Sequence, residues 1–114
     1  MLTRSDAIQA CLGFADAFED YPFDDPAWTA MRHISNRKTF AFIFARNGSI
    51  WINLKCEPLK GDFLKAAYPS VLPAYHMNKT HWISVVLDGS MTDDEILPII
   101  EDSYLLTLDR KVCR

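Results

Sequence analysis

Apolar residues near the start of the chain, Ile8, Cys11, Leu12, Ala15 and Phe18, recur at the three-and-four spacing of one helical face, and Thr3 or Ser5 can cap that helix. The spacing predicts a helix over about 4–18, ending before Glu19-Asp20-Tyr21-Pro22. Phe23-Asp24-Asp25-Pro26 then reads as an acidic, turn-rich connector, because its prolines forbid continued helix. A short strand over about 28–33 follows.

The period then changes from helical to alternating. Residues 38–44 and 49–55 are rich in aromatic and β-branched side chains, and Asn47-Gly48 between them is the preferred two-residue hairpin turn. Alternation puts Ile50, Ile52 and Leu54 on one side of the second strand and Trp51, Asn53 and Lys55 on the other. Leu59 to Ala67 reads as a short helix closed by Tyr68-Pro69. Two extended segments, about 71–77 and 81–87, precede Asp88-Gly89. Thr92 before Asp93-Asp94-Glu95 is a helix start with carboxylates where the dipole favours them, and the last helix is expected to reach about Leu108. Pro98 requires either a bend in that helix or a regular part that begins there.

This order predicts an α+β domain spanning 1–114, with two terminal helices on one face of an antiparallel sheet of about five strands and a short helix between strands 3 and 4. Ile8, Leu12 and Ala15 in the first helix, and Ile96, Ile99, Ile100, Ser103 and Leu106 in the last, form the stripes that need a common core. The other sheet face is left for a partner.

Composition narrows the class. With 49% hydrophobic and 24% charged residues, the chain suits one globular domain that buries roughly 60–70% of its unfolded surface and needs no disulfide or metal to hold a core. Cys11, Cys56 and Cys113 are odd in number and widely spaced, so free thiols are expected. The N-terminus turns polar before a signal-peptide core develops, and a cytoplasmic protein with no membrane contact is the expectation.

Charge is unevenly spread behind the net value of −3. Residues 1–31 set Arg4 alone against six carboxylates, whereas residues 32–81 set eight cations against two carboxylates and contain His33, His76 and His81. Residues 82–114 are acidic again. The basic middle is therefore the place to look for an anionic partner.

Several chemistries can be weighed there. His76, His81 and Cys56 combine imidazole and thiolate, but HxxxxH is no zinc signature, and two histidines flanking a turn explain the pattern as well. Cys56 activated by a histidine would be a nucleophile, yet a cysteine at a strand end is ordinarily a small packed hydrophobe. Asp16, Glu19, Asp20, Asp24 and Asp25 could hold a hard cation, against the simpler reading of a solvated connector. The absence of GxxxxGK[ST] and GxGxxG excludes nucleotide binding by those loops. Arg32, Arg37, Lys38, Trp51, Asn53, Lys55, His76, Asn78, Lys79, His81 and Trp82 supply the cations, amides and aromatics that nucleic-acid binding uses. The same residues also suit an ordinary solvated strand surface with its edges guarded by charge.

Residues 28–36 (WTAMRHISN), Asn53-Leu54-Lys55-Cys56, Tyr68-Pro69, the run 73–79 (PAYHMNK), His81-Trp82, Leu87-Asp88-Gly89 and Ser103-Tyr104 together resemble the MmcQ/YjbR family of small bacterial proteins. The resemblance covers almost the whole chain, and HMNK-x-HW after NLK is its most specific part. It implies a CyaY-like fold, similar in outline to the bacterial frataxins, and a double-wing mode of DNA binding. The family's polar positions match as Asn53, Lys55, His76, Asn78, Lys79, His81 and Trp82, while Pro98 departs from the family's usual helix former. The expectation is a non-enzymatic, cofactor-free DNA-binding module whose basic residues form one patch. A protein-interaction or small-ligand module on the same sheet face is the rival.

Overall fold

Asn47 and Gly48 occupy left-handed backbone with φ of 53° and 80°, as a two-residue turn matched to the twist of its flanking strands requires. Around this hairpin the computed structural model, which describes residues 1–108, builds α1 (Arg4–Leu12), β1 (Ala17–Asp20), β2 (Thr29–His33), β3 (Thr39–Arg46), β4 (Ser49–Lys55), α2 (Pro58–Ala67), β5 (Val71–Pro73), β6 (Trp82–Leu87) and α3 (Asp93–Thr107). The strands form one six-stranded antiparallel sheet in the order β1-β2-β3-β4-β6-β5. The sheet therefore has six strands, not five.

The extra strand is cut from the stretch expected to finish the first helix. Thr3 and Asp6 close a capping box at its start, and Gly13 ends it by donating its N–H to the Gln9 and Ala10 carbonyls. Asp16, at φ 66°, then reverses the chain. Its carbonyl accepts the Ile34 N–H and its carboxylate accepts the Ser35 N–H and hydroxyl, which fixes the turn to the end of β2. Ala17 to Asp20 consequently pair with β2, Ala17 opposite His33. Ala15 and Phe18 match a helical face only because they stand four and seven residues after Cys11.

The terminal helices do share one core. Ala7, Ile8 and Cys11 of α1 and Ile96, Ile99, Ile100 and Tyr104 of α3 pack with Met31, Ile43, Ile52, Leu54, Ile83 and Val85. Leu64 of α2 joins the same cluster. Leu106, expected in the α3 stripe, is 40% exposed, and Tyr104 and Thr107 face inward instead. Pro98 lies inside a helix that starts at Asp93, and the Asp94 carbonyl it deprives of a donor belongs to an exposed residue. Cys11 and Cys56 are buried free thiols, while Cys113 lies outside the described residues. No helix among the described residues is long and apolar enough to cross a membrane.

The segment expected as a strand over 71–77 stops at Pro73. Beyond it the Tyr75 N–H is taken by the Ser84 hydroxyl at 2.9 Å, and the chain leaves the sheet edge to cross the face opposite the helices.

Candidate nucleic-acid interface

Strand pleating sends Phe42 and Phe44 of β3, Trp51, Asn53 and Lys55 of β4, and Trp82 and Ser84 of β6 away from the helices. Trp28, just before β2, stacks on Phe44 with ring centres 4.1 Å apart and planes 12° apart. Tyr75, from the loop crossing this face, adds a third ring 5.6 Å from Phe44 and 6.2 Å from Trp51. Trp82 lies 6.1 Å from Phe42. The face is thus an aromatic sheet surface crossed by this loop, with Phe23 of the 21–28 connector beside Phe42.

Hydrogen bonds act with this ring stacking to set that loop. Asn53 donates Nδ2–H to the Tyr75 carbonyl at 2.9 Å and accepts the Ser84 hydroxyl at 2.5 Å. Asn53 and Ser84 are both 0% exposed, so an unpaired amide there would carry the full desolvation cost. Asn53 is therefore removed from the expected nucleic-acid contacts: it holds the loop and touches no solvent. Asn78 Oδ1 accepts the N–H groups of Thr80 at 2.8 Å and His81 at 3.1 Å and shapes the far turn. His76, between them, has φ 58°, a left-handed conformation that a residue with a Cβ adopts only when its surroundings enforce it.

Two concavities flank the loop. One, about 410 Å³, is lined by Arg46, Trp51, Leu72, Pro73, Tyr75, His76 and Lys79. Its Arg46 guanidinium lies 4.4 Å from the Tyr75 ring centre and 4.9 Å from that of Trp51, a cation–π arrangement that orders the charge in advance. The other, about 450 Å³, is lined by Phe23, Asp25, Trp28, Phe42, His76 and Met77. His76 lines both.

The expected single patch is divided. Arg46, His76 and Lys79 share the first groove. Lys55 pairs with Trp82, four residues and about 13 Å of strand from Trp51, and does not line it. His81 and Lys38 are exposed outside the groove. Arg32 is held by Asp20 at 2.5 Å and donates Nε–H to the Arg37 carbonyl, and both guanidinium groups lie over the Phe18 ring, at 5.8 Å and 5.5 Å. The hydrogen bond from Arg32 and the Tyr21 N–H hold the Asp20 carboxyl below the ordinary range, so Arg32 is already neutralised. Trp51 is nearly buried under Arg46 and Tyr75 and presents little surface.

Sequence reasoning missed Arg46, Tyr75, Trp28, Phe42 and Phe44 as site residues. The signal for three of them was present: extending the Asn47-Gly48 register pairs Arg46 with Ser49 and Phe44 with Trp51, which puts Phe42, Phe44 and Arg46 on the face of Trp51. Thiol chemistry has no support in the geometry. Burial raises the Cys56 thiol and pushes that of Cys11 up to about 12, the reverse of what a nucleophile needs. Among the described residues no three His, Cys, Asp or Glu side chains converge as a metal site.

A six-stranded antiparallel sheet with three helices, two of them terminal, and a loop laid across its other face defines a distinct class of small α+β proteins. The chain belongs to the YjbR family, whose family model matches residues 12–106. It is 37% identical to the uncharacterized protein YyaQ of Bacillus subtilis, covering 94% of this chain and 99% of that one. It is 29% identical to the uncharacterized protein YjbR of Escherichia coli K12, over 90% of this chain and 85% of that one. Among solved structures, a Deinococcus radiodurans protein matches with a TM-score of 0.85 at 30% identity, over 97% of this chain and 82% of that one. A Pseudomonas syringae protein matches at 0.82 and 34% identity, over 93% and 99%.

Proposed function

We propose that the sheet face opposite the helices binds DNA, and that it does so as a binding module and not as an enzyme. The supporting observation is the meeting of Arg46, His76 and Lys79 along one groove floored by aromatic rings. Cations neutralise phosphate and rings contact sugar and base, the pair of terms such binding needs. Part of the acidic charge lies away from this face. The α3 carboxylates Asp93, Asp94, Glu95, Glu101 and Asp102 belong to the helical layer on the other side of the sheet. At physiological salt the Debye length of about 8 Å limits their opposition.

The test is a titration of labelled duplex and single-stranded DNA at two salt concentrations. Each neutralised phosphate contributes a slope of about −0.9 in log affinity against log salt for duplex, or about −0.7 for single strands. Arg46→Ala with Lys79→Ala should weaken binding to every sequence and flatten the duplex slope by about 1.8. If no DNA shows salt-sensitive binding, the face is a protein-interaction or small-ligand module instead.

A further inference from the structure

We infer that this face takes single-stranded DNA, with one unstacked base in the cleft of Phe23, Trp28 and Phe42 and its phosphate on Arg46 and Lys79 in the adjoining groove. The inference rests on the DNA reading and specifies the form of the nucleic acid.

The walls come first. Phe23 is 50% exposed and Trp28 and Phe42 are half-buried, so these rings still offer surface to a ligand. Phe23 stands edge-on to Trp28, with planes 86° apart, and Phe42 is tilted 67° from Trp28, which gives an angled enclosure and not a closed stack. Phe23 and Phe42 are 6.0 Å apart, too close to admit a base between them, so a base lies against the wall of the cleft. At about 450 Å³ the space accommodates a nucleobase with its sugar. A base inside a duplex is stacked on both sides and shows only its edges, and reaching such a wall would cost its unstacking. An unpaired strand presents the ring face directly, and base–aromatic stacking is sequence-tolerant.

Charge supplies the second part of the fit. The apolar cleft carries one carboxylate, Asp25, whose Oδ1 accepts the Ala27 N–H at 2.9 Å and whose remaining lone pairs are free to accept. The neighbouring groove carries Arg46 and Lys79, and His76 lines both spaces. An acceptor beside the aromatic wall, and cations in the groove that shares His76 with it, complement a nucleotide, whose base donates through N–H groups and whose phosphate is anionic. A carboxylate also discriminates among bases. Guanine offers adjacent N1–H and N2–H donors, whereas thymine offers one N–H between two carbonyl oxygens that the carboxylate repels.

The experiment uses the full chain and three probes of about twelve residues, within the roughly 4–16 nucleotides of single-strand sites: a thymine strand, the same strand with one central guanine, and a duplex of that length. Anisotropy and tryptophan quenching are followed at fixed salt. The guanine strand should bind several-fold tighter than both the thymine strand and the duplex. Phe23→Ala, a change at an exposed ring, should weaken single-strand binding on the order of tenfold with the unfolding midpoint retained. Asp25→Asn should erase the guanine preference and leave the salt slope in place. Duplex binding as tight as the strands, or a Phe23→Ala protein with unchanged strand affinity, overturns the inference and leaves the DNA reading standing. Deoxyguanosine monophosphate binding as tightly as the strand also overturns it. Absence of salt-sensitive binding to all three probes removes the DNA reading itself.

Discussion

Below the sheet, β2, β3, β4 and β6 bury Met31, Ala41, Ile43, Ile52, Leu54, Ile83 and Val85 against the helices, and rings join this aliphatic contact where Phe40, near the start of β3, meets Phe14 and Tyr104. Above it the same strands carry Phe42, Phe44, Trp51, Asn53, Trp82 and Ser84, partly covered by the loop that carries Tyr75. Branched aliphatic side chains interlock with helices and need no partner atom. The rings and the amide are covered by a loop that adds its own ring, Tyr75, and matched hydrogen bonds. The helix layer is held by a large apolar area with a few buried bonds from α3, such as the Ser103 hydroxyl to the Phe40 carbonyl, while the loop is held by the Asn53 and Ser84 bonds together with the stacking of Tyr75. The first arrangement stabilises the fold, and the second shapes a surface. Because each strand serves both faces, slipping one strand by one residue would exchange them.

Substitutions can break this contrast in order of effect. Ile52→Ala, at a fully buried site in the helix-side core, should cost about 2–5 kcal/mol in chemical unfolding, and any loss of binding should track unfolding alone. Asn53→Leu should cost about 1–3 kcal/mol, since it strands the Tyr75 carbonyl and the Ser84 hydroxyl. Its particular mark is faster amide exchange over residues 74–81 while β3 and β4 stay protected; equal protection throughout would mean the loop is held by something other than this amide.

His33 sharpens the contrast from the helix side. It is fully buried, bonded through Nε2 to the Thr107 hydroxyl at 2.8 Å, and its ring is kept neutral because burial lowers its pKa despite Asp16 at 3.6 Å. In the unfolded chain the ring takes up a proton near a pKa of about 6.5, so the contribution is present above that pH and declines as pH falls below it. Thermal unfolding between about pH 7.5 and 5.5 should show this decline, and His33→Leu should flatten it. The smallest expected change is at Lys79. Its replacement by Ala should move stability by no more than about 0.5 kcal/mol and yet weaken DNA binding, which separates recognition from folding at a single exposed residue.

Local rules carried most of the architecture. Asn47-Gly48 announces the hairpin, and Thr92 with Glu95 announces α3, because in both cases the deciding bonds lie within four residues. β1 was illegible for the opposite reason: it exists because Asp16 bonds to Ser35 and pairs its segment with β2, contacts invisible in a window of helical period. The site was read in part. His76 and Lys79 do line the groove, but Asn53 looked like a contact because an amide beside an aromatic on an open strand face suits either role. Only Tyr75, brought over the sheet from a distant loop, shows that the face is covered at that point. Arg46 enters the sequence reading only as one cation of the basic stretch, although hairpin register alone places it beside Trp51.

The ends of the sheet carry a further consequence. At one rim stands β5, three residues closing on Pro73, which has no N–H to offer; at the other stands β1, four residues that include Glu19 and Asp20. A second copy approaching side by side would find few free main-chain donors at the first rim and like charge at the second. Growth of the sheet from molecule to molecule is therefore discouraged in either direction.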